Sequence, residues 1–252
     1  MAKDESGNEV IMQIENTFRV AKTFVRKGIV GVFNVCIGSV LDGSRVMKSN
    51  ESDFDAFYTP GRYPIAKSRP RISIMGVPRR IDSVVAVQGL QLFTEFEQHV
   101  CSLDVHADVP PYVLMDLVRA GRLKGIILQC QGAGNIPDRI WTAEELKDTE
   151  SYSWIDAIRK ATQAGVHIGI ISPFDDGQVI LTRYELGQKA KDAGALSLES
   201  LTPAMGDVKF RMAIAMHPDR PDRIQKFIST NILGELLENE EDDDEDDDAS
   251  ED

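Results

Sequence analysis

Gly125-Ile-Ile-Leu-Gln-Cys-Gln-Gly-Ala-Gly-Asn-Ile-Pro137 reads as a buried strand that runs straight into a glycine-rich loop. Its apolar, β-branched opening suits a strand covered on both faces, as in a parallel sheet. The loop then falls at the carboxyl end of that strand, where open α/β sheets bind their ligands. Gly132 and Gly134 allow positive φ or close backbone approach. Taken as a pattern, Gly-x-Gly fits a strand-ending turn as well as a ligand loop. A dinucleotide fold requires a third glycine and an immediate helix, and Asn135-Ile-Pro137 stands there instead.

Outward from this stretch the pattern is regular. Upstream, a strand over 100–105 precedes Asp108-Val-Pro-Pro, with Asp108 placed to cap a helix carrying Val113, Leu114, Leu117 and Val118, and Gly121 ending it. Downstream come a helix with Trp154, Ile155, Ile158 and Ala161 on one face, a strand over 166–171, and a helix over 184–193 stopped by Gly194. Thr202-Pro203 then opens a helix through Ala215, and Pro221 another to about Thr230. Strands alternating with amphipathic helices imply an α/β fold with right-handed crossovers and a parallel sheet.

The amino-terminal third is less periodic. From Ile14, the spacing of Phe18, Ala21 and Val25 predicts a helix ending near Lys27, with Gly28 as its left-handed cap; residues 1–12 are polar. Residues 29–37 read as a buried strand, Asp42-Gly43 as a tight turn, and Arg45-Val-Met47 as the return strand. Residues 52–70 read as a long surface loop, followed by short strands at 71–74 and 84–87.

The chain carries a formal charge of −13, but residues 238–252 hold 12 of its 41 acidic groups and none of its 28 basic ones, which leaves 28 against 29 in the body. A nearly neutral body gives no basic surplus to displace counterions from phosphates, so nucleic acid is not an expected partner. The acidic run is expected to be a disordered tail, for solubility or for docking a basic partner. No apolar run suggests a membrane span, and the polar, acidic start does not resemble a signal peptide, so the expected compartment is the cytoplasm. Cys36, Cys101 and Cys130 are far apart and read as buried thiols. His99, His106, His167 and His217 complete no metal pattern, and no metal site is expected. Asp175-Asp176-Gly177, after the strand at 166–171, reads either as a turn or as carboxylates facing the cleft beside Asn135.

Taken together, these segments resemble the L-asparaginases, in particular the cytoplasmic type I enzymes and the related tRNA-amidotransferase subunit. Residues 125–137 look like the family's strand and Gly-x-Gly-Asn-x-Pro loop. Tyr184-Glu-Leu-Gly187 with Ala193-Gly194, Leu201-Thr202, Lys209, and Thr230-Asn231-Ile-Leu-Gly-Glu235 are similar to its carboxyl-terminal elements. Residues 37–48 and 53–60 resemble the hairpin and Phe-Asp-Ala-Phe-x-Ser-Pro segment of its amino-terminal domain. The implied organisation is a flexible leader (1–13), a residual part of the amino-terminal domain with a linker (14–90), a parallel-sheet asparaginase-like carboxyl-terminal domain (91–237) and the acidic tail (238–252).

The resemblance implies hydrolysis of asparagine to aspartate and ammonia through an acyl-enzyme, with no metal or cofactor. It implies an active site shared between subunits, in which Asn135 and Gly134 of one chain's loop bind the substrate of a neighbour. The family's threonine nucleophile lies in a Thr-Gly-Gly-Thr loop, and a second threonine in a Thr-Asp-Thr motif; neither occurs here, and no catalytic residue is assigned. Thr17 and Thr23 fall outside those motifs. Gln129 and Phe174 replace an arginine and a cysteine associated with effector sites in some type I enzymes, so regulation by bound asparagine is not implied. Two readings follow. One is a part of a split amidohydrolase, inactive alone and completed by an amino-terminal asparaginase-like chain. The other is a non-catalytic, homo-oligomeric interaction or structural protein.

Overall fold

The computed structural model describes residues 8–52, 55–76 and 92–237. The expected strand at 84–87 and the acidic tail at 238–252 lie outside the described residues.

The carboxyl-terminal part is the α/β layer that the sequence predicts. β7 (Val100–Asp104), β8 (Gly125–Gln129), β9 (His167–Ile171) and β10 (Leu196–Ser197) form one sheet in which each strand pairs in parallel with the next. Crossovers that always step in one direction, all right-handed, place their helices on one face. On that face α2 (Tyr112–Arg119), α4 (Trp154–Gln163) and α5 (Glu185–Asp192) pack on Ile126, Leu128, Ile168 and Ile170. The other face, with Ile127 and Ile171, is covered by α6 (Pro203–Met216) and α7 (Pro221–Ile228) through Phe210, Ala213, Ile214, Ile224 and Ile228. Alternate residues of β8 thus enter opposite cores, each burial worth roughly 1.5–3 kcal/mol. Gly125 allows this approach: a Cβ there would stand 2.6 Å from Ile214 Cδ1. The short α3 (Ala143–Leu146), closed by a capping box at Thr142 and Glu145, was not expected. Pro111, not Asp108, takes the N-cap position of α2, because residues 106–109 close their own turn through Val109 N–H and His106 O, 3.1 Å.

The amino-terminal layer departs further from expectation. α1 (Asn8–Arg26) starts ahead of Ile14, within the expected leader, and its buried residues are Asn16, Val20 and Phe24. Phe18 and Val25, on the stripe read as its core face, are 72% and 78% exposed. The helix carries two apolar stripes, and periodicity alone does not say which meets the core. Gly28 does adopt positive φ, at 65°, behind it. The buried strand expected over 29–37 shrinks to β1 (Phe33–Cys36), half-buried, because Gly31 (φ 147°) and the exposed Val32 interrupt the run.

β2 (Ser39–Asp42) returns antiparallel to β1 across Ile37 and Gly38, both at positive φ. The hairpin turn is therefore here and not at Asp42-Gly43, where Asp42 Oδ1 instead accepts from Ser44 N–H at 2.9 Å. β3 (Met47–Lys48) pairs with β4 (Phe57–Tyr58), so Arg45 lies in a turn and not in a return strand. Within the expected long loop, β4 and β5 (Ala66–Lys67) are strands, and β6 (Ser73–Ile74) completes a sheet of order β1-β2-β5-β6. Cys36 and Cys130 are buried and Cys101 is half-buried.

Candidate functional site

The loops after β8 and β9 leave the same end of the sheet, linked where Cys130 N–H donates to Ile171 O at 2.9 Å. In the first loop, Gly134 is buried at φ 96°. A Cβ there would fall 2.8 Å from Val179 Cγ1 and 3.2 Å from Ile170 Cγ2 and Leu181 Cδ2. Only glycine meets both conditions. Gly132 (φ 59°) turns the chain, Asn135 N–H donates to Gln131 O at 3.1 Å, and Ile136 is fully buried. Gly134 and Ile136 thus anchor both sides of Asn135, which is itself exposed. The loop thus holds one exposed carboxamide at the carboxyl end of the sheet, able to donate and accept hydrogen bonds through its NH₂ and carbonyl ends.

The second loop does not bring a carboxylate pair to Asn135. Residues 174–177 form a turn, Gly177 N–H to Phe174 O at 3.0 Å, and the two aspartates face the amino-terminal layer. Tyr58 Oη donates to Asp175 Oδ1 at 2.6 Å, and this bond, with some desolvation, pushes the Tyr58 hydroxyl up to about 12. Asp176 Oδ1 lies 3.2 Å from where Gly61 would carry a Cβ.

The polar centre of the molecule is elsewhere, and sequence reasoning found only half of it. Lys209 and Glu235, both matched to the resembled family, are 3% and 2% exposed and form an ion pair at 2.6 Å. Lys209 Nζ also donates to Ile228 O (2.8 Å) and Thr230 O (2.6 Å), which ties α6 to the segment after α7. Burial lowers the Lys209 ammonium despite its partner. For Glu235, burial would raise the carboxyl, but Lys209 and the N–H groups at Ile232 and Leu233 outweigh it and hold the group below its usual range.

Arg45, 1% exposed, donates to Pro60 O (3.1 Å), Ser200 O (2.6 Å) and Glu235 O (2.6 Å). Arg62 donates to Gly234 O and Leu236 O. Burial, with repulsion from Arg62, lowers the Arg45 guanidinium to about 10. An arginine just past a turn gives no sequence signal of burial, so nothing in the sequence points to the contacts that Arg45 and Arg62 make.

Thr17 Oγ1 donates to Gln13 O and Thr23 Oγ1 to Arg19 O, both 2.9 Å, so these hydroxyls bond back to their own helix. His167 Nε2 lies 2.7 Å from Pro218 O, a satisfied strand-end residue. Among the described residues no three His, Cys, Asp or Glu side chains gather to hold a metal ion, and no helix is long and apolar enough to cross a membrane.

Residues 99–228 match the Glutaminase/Asparaginase C-terminal domain family. Among curated relatives, an L-asparaginase of Thermococcus kodakarensis is 27% identical over 229 residues, 86% of this chain and 61% of that one. A glutamyl-tRNA(Gln) amidotransferase component from Sulfurisphaera tokodaii is 27% identical over 197 residues, 77% of this chain and 40% of that one. The chain therefore spans about half the length of these relatives. The solved structure of the thermostable L-asparaginase from Thermococcus kodakarensis superimposes with a TM-score of 0.73 at 25% identity, covering 90% of this chain and 63% of that one. L-asparaginase I from Vibrio cholerae, at 18% identity and a TM-score of 0.66, shares the fold.

Proposed function

Since the chain belongs to the Glutaminase/Asparaginase C-terminal domain family, we propose that it supplies that domain to an asparaginase-type amidohydrolase whose threonine nucleophile comes from a segment outside these 252 residues. The observation that carries the reading is the mount of Asn135. A loop that fixes an exposed carboxamide between a buried positive-φ glycine and a buried isoleucine, at the carboxyl end of a parallel sheet, is built to present that group to something else. An asparagine-like substrate offers matching hydrogen-bonding groups, and Asn135 with the backbone at Gly134 would hold it in place.

Hydrolysis by an acyl-enzyme needs a hydroxyl activated by a base within hydrogen-bond reach, and donors aimed at the developing oxyanion. The role assigned to this chain is orientation of the substrate; the covalent step belongs to the threonine-bearing segment. The test is to combine the chain with such a segment and measure ammonia released from asparagine. Activity in the mixture and its loss with Asn135→Ala are expected. Aspartate formed by the chain alone at an enzymatic rate would overturn the reading.

A second reading, a non-catalytic asparaginase-like protein that oligomerises through this domain, draws on the Arg45 and Arg62 bonds, which seat the amino-terminal layer with no other chain. It expects a stable homo-oligomer and no hydrolysis in any mixture.

A further inference from the structure

The outward face of α1 carries a pattern of its own. Ile11, Ile14, Phe18, Ala21 and Val25 follow one another at intervals of three, four, three and four residues, the a/d spacing by which two helices pack along a seam. All five are exposed, and each of the four large ones is more than half so. At about 100° per residue, the seam is centred roughly 140° around the helix from Asn16, Val20 and Phe24, which are buried against the sheet. It therefore points away from the body of the chain, and a helix laid along it would not compete with the sheet for contact.

Beside this seam, the e positions are held by Glu15 and Lys22, both exposed, and the g positions ahead of Phe24 by Val10 and Thr17. Among the described residues neither charge has an ion-pair partner in its own chain. The two ways of pairing helices treat these charges differently. In a parallel pair each e position lies against a g position of the other helix, and here g is uncharged. In an antiparallel pair e lies against e, so Glu15 of each helix meets Lys22 of the other, twice by symmetry. The same alignment, to within about half a helical turn, sets Phe18 of one helix against Ala21 of the other and Ile14 against Val25. A ring then fills the space that a methyl group leaves.

α1 is also ready-made. A lone helix of 19 residues is marginal in water, but this one is fixed on its sheet by Val20, by Phe24 and by the bond from Asn16 Nδ2 to Ser68 Oγ at 2.6 Å. Pairing it with another therefore carries no cost of folding the helix.

We propose that α1 is a self-recognition helix: two copies of this chain associate along the Ile11, Ile14, Phe18, Ala21, Val25 seam as an antiparallel pair, with Glu15 and Lys22 exchanged across the two-fold axis. Other occupants match the seam less well. The acidic run at 238–252 has a single apolar residue, Ala249, to offer it. A lipid surface would accept the stripe, but the anionic surface that Lys22 favours repels a chain of formal charge −13. The contact is separate from the candidate site at Asn135 and from association through the carboxyl-terminal domain, so it holds under either reading of function.

The experiment is sedimentation equilibrium of the full chain over a range of concentrations at low salt, for the parent and three variants. The parent should show a reversible monomer–dimer equilibrium. Phe18→Glu puts two carboxylates into the seam of each dimer and should weaken association at least about a hundredfold; Lys22→Glu makes both cross-pairs repulsive and should weaken it about tenfold. The double variant Glu15→Lys, Lys22→Glu exchanges the charges and should return the dimer to within about threefold of the parent. In dilute solution, where the chain is a monomer, thermal melts of all variants should match the parent, which separates lost association from lost folding. A chain that stays monomeric at every concentration, an oligomer indifferent to Phe18→Glu, or a double variant as weak as Lys22→Glu alone would each overturn the proposal. So would stripe-dependent co-sedimentation with phosphatidylcholine vesicles in place of a dimer.

Discussion

In the carboxyl-terminal part Ile126 and Leu128 enter one helix layer while Ile127 enters the other, so that the central strands β8 and β9 are covered on both sides. In the amino-terminal part β1 is half-buried, one helix covers the sheet, and that helix turns a second apolar stripe to solvent. The same chain thus holds a finished hydrophobic sandwich and an unfinished one. A finished core should lose stability when perturbed from within. An unfinished layer should lose little stability when its outward face is changed.

The largest effect is expected where the finished part buries charge. Glu235→Ala leaves the Lys209 ammonium, 3% exposed, without its carboxylate, and a stranded buried charge costs about 3–5 kcal/mol. Urea unfolding monitored on the carboxyl-terminal part should show that loss, and the double variant Lys209→Met, Glu235→Leu should recover most of it. The pair also sets a pH limit. Because the folded carboxyl is held below its usual range, its contribution is present above the unfolded value, near pH 4.3, and disappears as pH falls through the folded value. The melting temperature should drop on acidification below about pH 4, and Glu235→Gln should flatten that limb; an acid limb identical in the two proteins contradicts the assignment.

The joint between the two parts comes next. Arg45→Ala removes donors to Pro60 O, Ser200 O and Glu235 O, for a loss of about 2–4 kcal/mol. Its distinguishing sign is location: limited proteolysis should begin in the amino-terminal layer while the parallel sheet stays intact. Uniform digestion would mean that Arg45 is not what holds the layers together.

How much of this was open to a reader of the sequence depended on where the pattern had a single meaning. Residues 125–128 read correctly because their apolar run is set among amphipathic helices on either side, a context that the similar glycine-bounded run at 29–37 lacks, and Thr202-Pro203 and Gly194 mark helix ends by local chemistry. α1 has two apolar stripes, so its periodicity predicted the helix but selected the wrong face. The hairpin turn at Ile37 and Gly38 was missed because a β-branched residue at positive φ is not a turn signal, whereas Asp42-Gly43 is one. At the candidate site, Gly134 and Asn135 were visible as a loop after a strand. The contacts of Asp175 and Asp176 were not, since they depend on Tyr58 and Gly61, more than a hundred residues away.

Within the loop, neighbouring residues should respond in opposite ways. Gly134→Ala forces a side chain onto positive φ and against Val179, and should lower stability by about 1–3 kcal/mol in thermal melts. Asn135→Ala, at an exposed position, should shift stability by less than about 0.5 kcal/mol, yet reduce ammonia release by the completed enzyme at least tenfold. Equal loss of stability at both positions would make the loop a structural turn and remove the case for substrate contact.

The smallest effect on the isolated chain is expected on the outward face of α1. Phe18 is 72% exposed, so Phe18→Gln removes little buried surface and adds no unsatisfied buried group; its unfolding free energy should stay within about 0.5 kcal/mol of the parent. Phe24, one turn and a half along the same helix, is 4% exposed and stacked edge-on against Phe33. Phe24→Gln should therefore weaken the layer through the core that Phe18 never enters. A stability loss at Phe18 comparable to that at Phe24 would show that the outer stripe is already covered within the chain, and the distinction between a finished and an unfinished half would fall with it.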